Sequence, residues 1–308
     1  MKKKYTITIG IPAHNEAKNI GNMLKSLLGQ KAVSYKIEKI YIVCDGCTDN
    51  TEKIVKKFAS KNKKIKVINY RQRLGKAIRL NQILRMNKSD FLIFFDADII
   101  LGKTSDVEEM VKIIAKDQQL NVAAANQLPA APISFINKIS NASFMLLKEM
   151  ANFNNGNHIH NLQGCASILR KEFVKSFSYP KGTITDQGYL YIKAIAKNKN
   201  GFGFAKNTNI LFRAVSTFKD YRMIAARAIY EDKSDLVNRF GQEVLERYKV
   251  PKLQLMKAIL KRCANDPIYT PLSMVVNIWA RLFPYKKAVS TNGKWEVIRS
   301  TKRAIVFK

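Results

Sequence analysis

"FLIFFDADII", residues 91–100, begins as a buried strand and ends in acid. Phe91 to Phe95 are all apolar, as a strand covered on both faces requires. Asp96 and Asp98 follow at once. In extended backbone, side chains two residues apart point the same way, so the two carboxylates share one side and Ala97 takes the other. Carboxylates held together at a strand end repel unless a cation joins them. Mg²⁺ and Mn²⁺ prefer oxygen ligands, and Mg²⁺ is typically held by one or two carboxylates plus substrate phosphates. An isolated Asp-x-Asp can equally be a solvated surface turn, so the neighbouring segments decide.

Upstream, strands and helices alternate. "YTITIGI" (5–11), "KIYIVC" (39–44) and "IKVINY" (65–70) read as strands rich in β-branched residues. Between them, Ile20, Met23, Leu24, Leu27 and Leu28 recur at helical spacing, with Asn15 the expected cap. Ile54, Val55 and Phe58 mark a second helix, capped by Thr48 or Asp49, and a third follows Gly75. This order predicts an α/β fold: a mostly parallel, Rossmann-like sheet flanked by helices. Downstream, 133–152 predicts a long helix and "QGCASILR" (163–170) a turn entering a strand. "TDQGYLYIKAIAK" (185–197) predicts a capped helix, and "GFGFAKNTNILFR" (201–213) two short strands. "NNGNHIHN" (154–161) reads as a polar surface loop. The chain divides softly near 230, into an α/β part (1–230) and a basic helical C-terminal extension (231–308).

Ligands of open α/β sheets bind beyond the carboxyl ends of the strands. Four polar segments converge there: "PAHNE" (12–16), "DGCTDNT" (45–51), "RQRLGK" (71–76) and "DAD" (96–98). That convergence favours a metal site at Asp96 and Asp98 over a surface turn. Lys76 and Arg73 would add positive charge beside phosphates, and Gly75 would let backbone approach closely. Glu16 also fits an acid in a helix's first turn, Lys76 a solvated helix lysine, and Asp49 a cap rather than a ligand.

Composition narrows the classes. Hydrophobic content of 46% and charged content of 25% exclude a disordered chain. Fifty-four Lys and Arg against 23 Asp and Glu give a formal charge of +31, which attracts polyanions, whether nucleic acid, anionic lipid or phosphorylated substrate. No nucleic-acid-binding module with interleaved aromatic and basic residues is present. Cys44, Cys47, Cys165 and Cys263 are few and scattered, which suits free thiols in a cytoplasmic protein. "MKKKYTITIGIPA" (1–13) reads as a first strand rather than a leader, and no apolar run is long enough to span a bilayer.

Six segments, in order, resemble the family-2 glycosyltransferases of the GT-A fold: "IPAHNEAKNI" (11–20), "IVCDGCTDNT" (42–51), "RLGKAIRLN" (73–81), "FFDADIIL" (94–101), "QGCASILRKEF" (163–173) and "TDQGYL" (185–190). The resemblance runs from about residue 5 to 230, and it implies a GT-A catalytic domain over 1–230, with nucleotide-sugar binding at about 1–100 and the acceptor side at about 101–230. It implies an inverting transfer of a sugar from a nucleotide-diphosphate sugar, a UDP-sugar first, to a hydroxyl of a glycan or lipid-linked acceptor. It implies that Pro12, His14, Glu16, Asp45, Arg73, Gly75, Lys76 and Asp96 bind the donor, with Asp45 against the base. Asp98 and Asp96 would hold Mg²⁺ or Mn²⁺, Asp186 would be the catalytic base, and Gln163, Gly164 and Cys165 would face the acceptor. Two departures stand out. Cys44 precedes Asp45 where the family usually has a second aspartate, and Thr185 precedes Asp186 where Glu is commonest. The Gln-x-x-Arg-Trp of processive synthases is absent from 216–232, which implies transfer of single sugars. A nucleotidyltransferase on a similar sheet is the alternative, and would prefer a Gly-rich loop after the first strand; a basic nucleic-acid-binding protein is the other.

The tail adds one expectation. "PKLQLMKAILKRC" (251–263) carries Leu253, Met256, Leu260 and Cys263 on one stripe, widened by Leu255 and Ile259, among four basic residues. "PLSMVVNIWARLFPYKK" (271–287) is more apolar but interrupted by Arg281 and Pro284. Basic amphipathic helices of this kind lie in an anionic membrane surface, or else pack on the catalytic domain.

Overall fold

The computed structural model describes residues 4–228, 232–283, 285 and 297–305. Among them, eight strands form one sheet: β1 (Tyr5–Ala13), β2 (Tyr35–Asp45), β3 (Ile65–Tyr70), β4 (Phe91–Phe95), β5 (Ile100–Leu101), β6 (Val122–Pro129), β7 (Ala166–Arg170) and β8 (Phe202–Phe212). Their order is β3-β2-β1-β4-β7-β6-β8-β5. The pairs β1–β2, β2–β3 and β1–β4 are parallel, as alternating strands and helices require. β7 runs antiparallel to both β4 and β6, and β5 antiparallel to β8. The sheet is therefore mixed: mostly parallel, with two reversed strands. Residues 202–212 form one strand rather than two, with its register to β6 shifting between Ala125 and Gln127. The proposed boundary at 230–231 lies outside the described residues.

Helices α1 (Ile20–Leu28), α2 (Thr51–Lys61) and α4 (Asp106–Lys116) cover one face; α3 (Lys76–Met86), α6 (Lys171–Ser176) and α7 (Asp186–Ile195) cover the other. β4 shows why its sequence reads as continuously apolar. Phe91, Ile93 and Phe95 enter the first core, while Leu92 and Phe94 enter the second. A third core joins α5 (Phe135–Glu149), α8 (Phe218–Ala226) and α11 (Tyr269–Leu282). α9 (Asp232–Phe240) adds Leu236 to the second core.

Two further expectations need correction, and the open choice for the tail is narrowed. Asn15 is not a helix cap: it lies at positive φ, and its Oδ1 accepts from Thr48 N at 2.8 Å, tying the first loop to the second. A short polar side chain tolerates that backbone region, so the residue serves the turn instead. The loop at 154–161 is not a surface feature, because His158 is buried and bonded through Nε2 to the Met150 carbonyl at 3.0 Å. The amphipathic stripe of α10 (Lys252–Asn265) does not pack inward. Leu253, Met256 and Leu260 are exposed, and only Ala258 is buried.

Candidate active site

The ends of β1, β2 and β4 open onto a cavity of about 360 Å³. Pro12, His14 and Glu16 line it from the first loop, and Asp45 from the second. Arg73, Gly75 and Lys76 come from the third, and Asp96 and Asp98 from the end of β4. Gln163 and Cys165 also reach it. Gly164 and Asp186 do not; they line a much smaller adjoining pocket that shares Lys76, Asp96 and Gln187 with the first. The far wall, with Phe144, Phe212, Arg213 and Ile224, comes from α5, the end of β8 and α8.

Backbone geometry fixes the loops. Gly75 ends the third loop at φ 103°, a conformation that favours glycine, and its N–H donates to Asp45 Oδ2 at 2.8 Å. Leu74 N and Arg79 Nε both donate to Asp45 Oδ1, at 2.8 and 2.7 Å. Asp45 is thus a buried organiser of the third loop as well as a wall of the cavity. Arg79, from α3, is 1% exposed; it also donates to the Gln72 carbonyl and stacks on Tyr70. His14 donates from Nδ1 to the Asp45 carbonyl at 2.7 Å, and burial lowers its pKa. Asp49 accepts from Thr51 N and Ala17 N, a loop-joining role rather than a ligand's. Gly164 lies at φ 83° where an added Cβ would overlap the Gln187 amide, so the turn into β7 requires glycine.

Charge concentrates on the floor. Lys76 Nζ lies 2.7 Å from Asp96 Oδ1 and 3.1 Å from Asp186 Oδ2, so one ammonium bridges the Asp-x-Asp segment and the start of α7. Burial pulls the Lys76 pKa down, but Asp186 and Asp96 together overcome it and hold the ammonium protonated. Thr185 caps α7, accepting from Gly188 N at 3.2 Å, and Asp235 of α9 accepts from Ile184 N and Thr185 N. Asp186 is therefore held by its own helix start and by a neighbouring helix. Glu16 precedes α1 and is buried; its carboxylate pairs with Lys302.

The donor set suits a divalent cation completed by a ligand. Burial and then the Asp96 charge raise Asp98 to about 6. Burial and then the Asp98 charge raise Glu16 to about 8, despite Lys302. Burial and mutual repulsion cause both shifts, and a metal on Asp98 and Asp96 would offset them beyond what Lys76 and Lys302 already do. Among the described residues, no three His, Cys, Asp or Glu side chains form a closed cage, so phosphate oxygens would have to complete the coordination.

Lys302, Arg79 and Asp235 were not legible as site residues. Arg79 carried a signal, since it falls on the buried face of α3 beside Leu80 and Ile83. Nothing local marks Lys302 among the many basic residues of the chain.

The model of the family described as "Glycosyl transferase family 2" matches residues 8–177, more than half of the chain. The chain belongs to glycosyl transferase family 2. Its site residues up to Cys165 fall inside the match; Asp186 and Lys302 lie beyond it. Over 141 residues it is 27% identical to the poly-beta-1,6-N-acetyl-D-glucosamine synthase of Staphylococcus aureus (strain COL), covering 46% of this chain and 33% of that protein. The chain thus spans about a third of the length of that curated relative. The mannosyltransferase PcManGT of Pyrobaculum calidifontis, solved with GDP-Man and Mn²⁺, superposes with a TM-score of 0.58 at 17% identity, over 92% of this chain and 81% of that one. TarS 1-349 of S. aureus, solved with UDP-GlcNAc, gives 0.53 at 17% identity, over 94% and 95%. These likenesses show the GT-A fold over most of the chain.

Proposed function

We propose that this family-2 protein transfers a sugar, one residue at a time, from a nucleotide-diphosphate sugar to a hydroxyl of a glycan or lipid-linked acceptor, with inversion. The observation that carries the reading is the Lys76 bridge. It sets a carboxylate at a helix start, Asp186, within one ammonium of the Asp-x-Asp pair. Asp96 and Asp98 would hold Mg²⁺ or Mn²⁺, which would supply Lewis-acid stabilisation of the leaving nucleotide. Lys76 and Arg73 stand beside the phosphates, with Pro12, His14 and Glu16 forming the opposite lip. Asp45 shapes the base pocket and, through Gly75, the phosphate loop. A UDP-sugar is the donor we favour; TarS was solved with UDP-GlcNAc and PcManGT with GDP-Man, so both bases belong in the test.

Asp186 takes the proton from the acceptor hydroxyl as it attacks the anomeric carbon. Gln163, Gly164 and Cys165 turn the chain beside it on the acceptor side. Asp186→Asn keeps size and helix start but accepts no proton at neutral pH. Turnover with a UDP-sugar or GDP-sugar should fall roughly 10²–10⁴-fold while nucleotide affinity stays within about twofold. Near-normal turnover would remove Asp186 from the chemistry.

We also place the protein at the cytoplasmic face of a membrane, held by its tail. Leu253, Met256 and Leu260 of α10 and Val275, Ile278 and Leu282 of α11 are exposed, with Lys252, Lys257 and Lys261 among them. No helix among the described residues is long and apolar enough to cross a membrane. Apolar residues among lysines match the interface of an anionic leaflet. The four free cysteines support a reducing compartment.

A further inference from the structure

Residues 297–305 lie along the wall of the cavity. On the donor side, Asn19 and Asn22 donate their amides to the carbonyls of Lys302 and Ile305, each at 3.2 Å. On the acceptor side, Ser300 N donates to Asp220 Oδ2 at 3.0 Å, and Ser216 N donates to Ser300 Oγ at 3.1 Å. Ser300 is buried, and Ile305 packs with Ile100 and Ala130. The segment is therefore docked on both halves of the fold. Lys302 points inward from it. Its Nζ donates to the His14 carbonyl at 3.0 Å and to the Glu16 carboxylate.

We propose that Lys302 is a donor-binding residue that presents its ammonium to the nucleotide diphosphate, and that residues 297–305 are a fixed wall of the donor site. The inference rests on the donor reading above. The cavity already holds the carboxylates of Glu16, Asp96 and Asp98, and a diphosphate brings more negative charge. Lys76 is engaged by Asp96 and Asp186. Lys302 supplies a cation from the opposite side of the Glu16 loop, on a backbone that is pinned before the ligand arrives. An ammonium has three donors, two of which are used here, so one is left for a phosphate oxygen. Preorganised cations of this kind stabilise the separated charge of a leaving diphosphate.

The alternative role is a strut that only closes the fold over Glu16. Calorimetric titration separates the two. UDP, GDP, uridine and guanosine are titrated into the full chain, wild type, Lys302→Met and Lys302→Arg, once with Mn²⁺ and once with EDTA. The expected result is a loss of roughly tenfold or more in diphosphate affinity for Lys302→Met, with nucleoside affinity unchanged and most of the loss restored by Lys302→Arg. Unchanged diphosphate affinity would overturn the proposal. So would an equal loss for nucleoside and diphosphate, the signature of a strut. If the wild type binds none of the four, the donor reading fails as well, an outcome distinct from a wild type that binds and a variant that does not differ.

Discussion

Replacing Arg79 with Met should unpin the donor loops from beneath. Arg79 is 1% exposed and pairs with Asp45, itself buried, at 2.7 Å. Removing one partner of a buried pair costs about 3–5 kcal/mol, because the other charge is left uncompensated. Here Asp45 keeps the N–H groups of Leu74 and Gly75, which favours the lower end. The Gln72 carbonyl loses its donor and Tyr70 its stacked guanidinium, which pushes the other way. About 3 kcal/mol is the expected loss, or a fall in Tm on the order of 5–10 °C. Urea melts of Arg79→Met, Asp45→Asn and the double variant provide the cycle. Asp45→Asn removes the charge and keeps one acceptor oxygen, enough for one of the two loop amides, so the single variant is itself costly and the double should cost about 2 kcal/mol less than the sum of the singles. A loss below about 1 kcal/mol for Arg79→Met, or simple additivity, would refute the idea that this pair organises the third loop.

Two further outcomes follow from buried and exposed surfaces. Burial, and then the His160 charge, lowers His158 from 6.5 to about 4, so the unfolded chain takes up that proton first. Its contribution is intact above 6.5 and is lost as pH falls toward 4, by up to about 3 kcal/mol; His158→Gln, which can still donate to Met150, should flatten that limb of the stability curve, and an unchanged limb would assign it to other groups. Replacing Leu253, Met256 and Leu260 together with Glu should reduce binding to anionic vesicles by at least about tenfold, read by co-sedimentation, while the melting temperature holds. Equal binding by the triple variant would show that α10 is not the attachment surface.

The first hundred residues were legible because their physics is local. β4 alternates between two cores, so its sequence had to be continuously apolar, and the loops beyond the strands had to carry the polar residues. Composition and spacing could therefore locate Asp96, Asp98, Gly75 and Lys76 together. The second half was harder. β7 inserts antiparallel between β4 and β6, and no local pattern states which neighbours a strand will choose. The 202–212 strand looked like two because Lys206 and Asn207 interrupt it, where the structure instead shifts register. Asn15 looked like a cap because the residue type suits caps and positive-φ turns alike. Asp45 could be matched to a base pocket, but its three protein donors come from a loop and a helix whose approach is a tertiary fact. Lys302 was illegible for the plainest reason: its partner is 286 residues away.

That separation has a consequence for how the protein is made. Closing a loop of such length is entropically costly, and contacts of high sequence separation form late in folding. Synthesis runs from the amino terminus, and domains fold as they emerge. A ribosome-held chain that has released β1 to β4 can already align its Asp-x-Asp pair, yet its Glu16 still lacks the ammonium that holds it. The cavity wall is finished only when residues 297–305 have left the exit tunnel and docked. With Lys302 in its proposed donor-binding role, nucleotide capture by stalled nascent chains of increasing length should rise late and in one step, with the release of residues 297–305 rather than of the sheet.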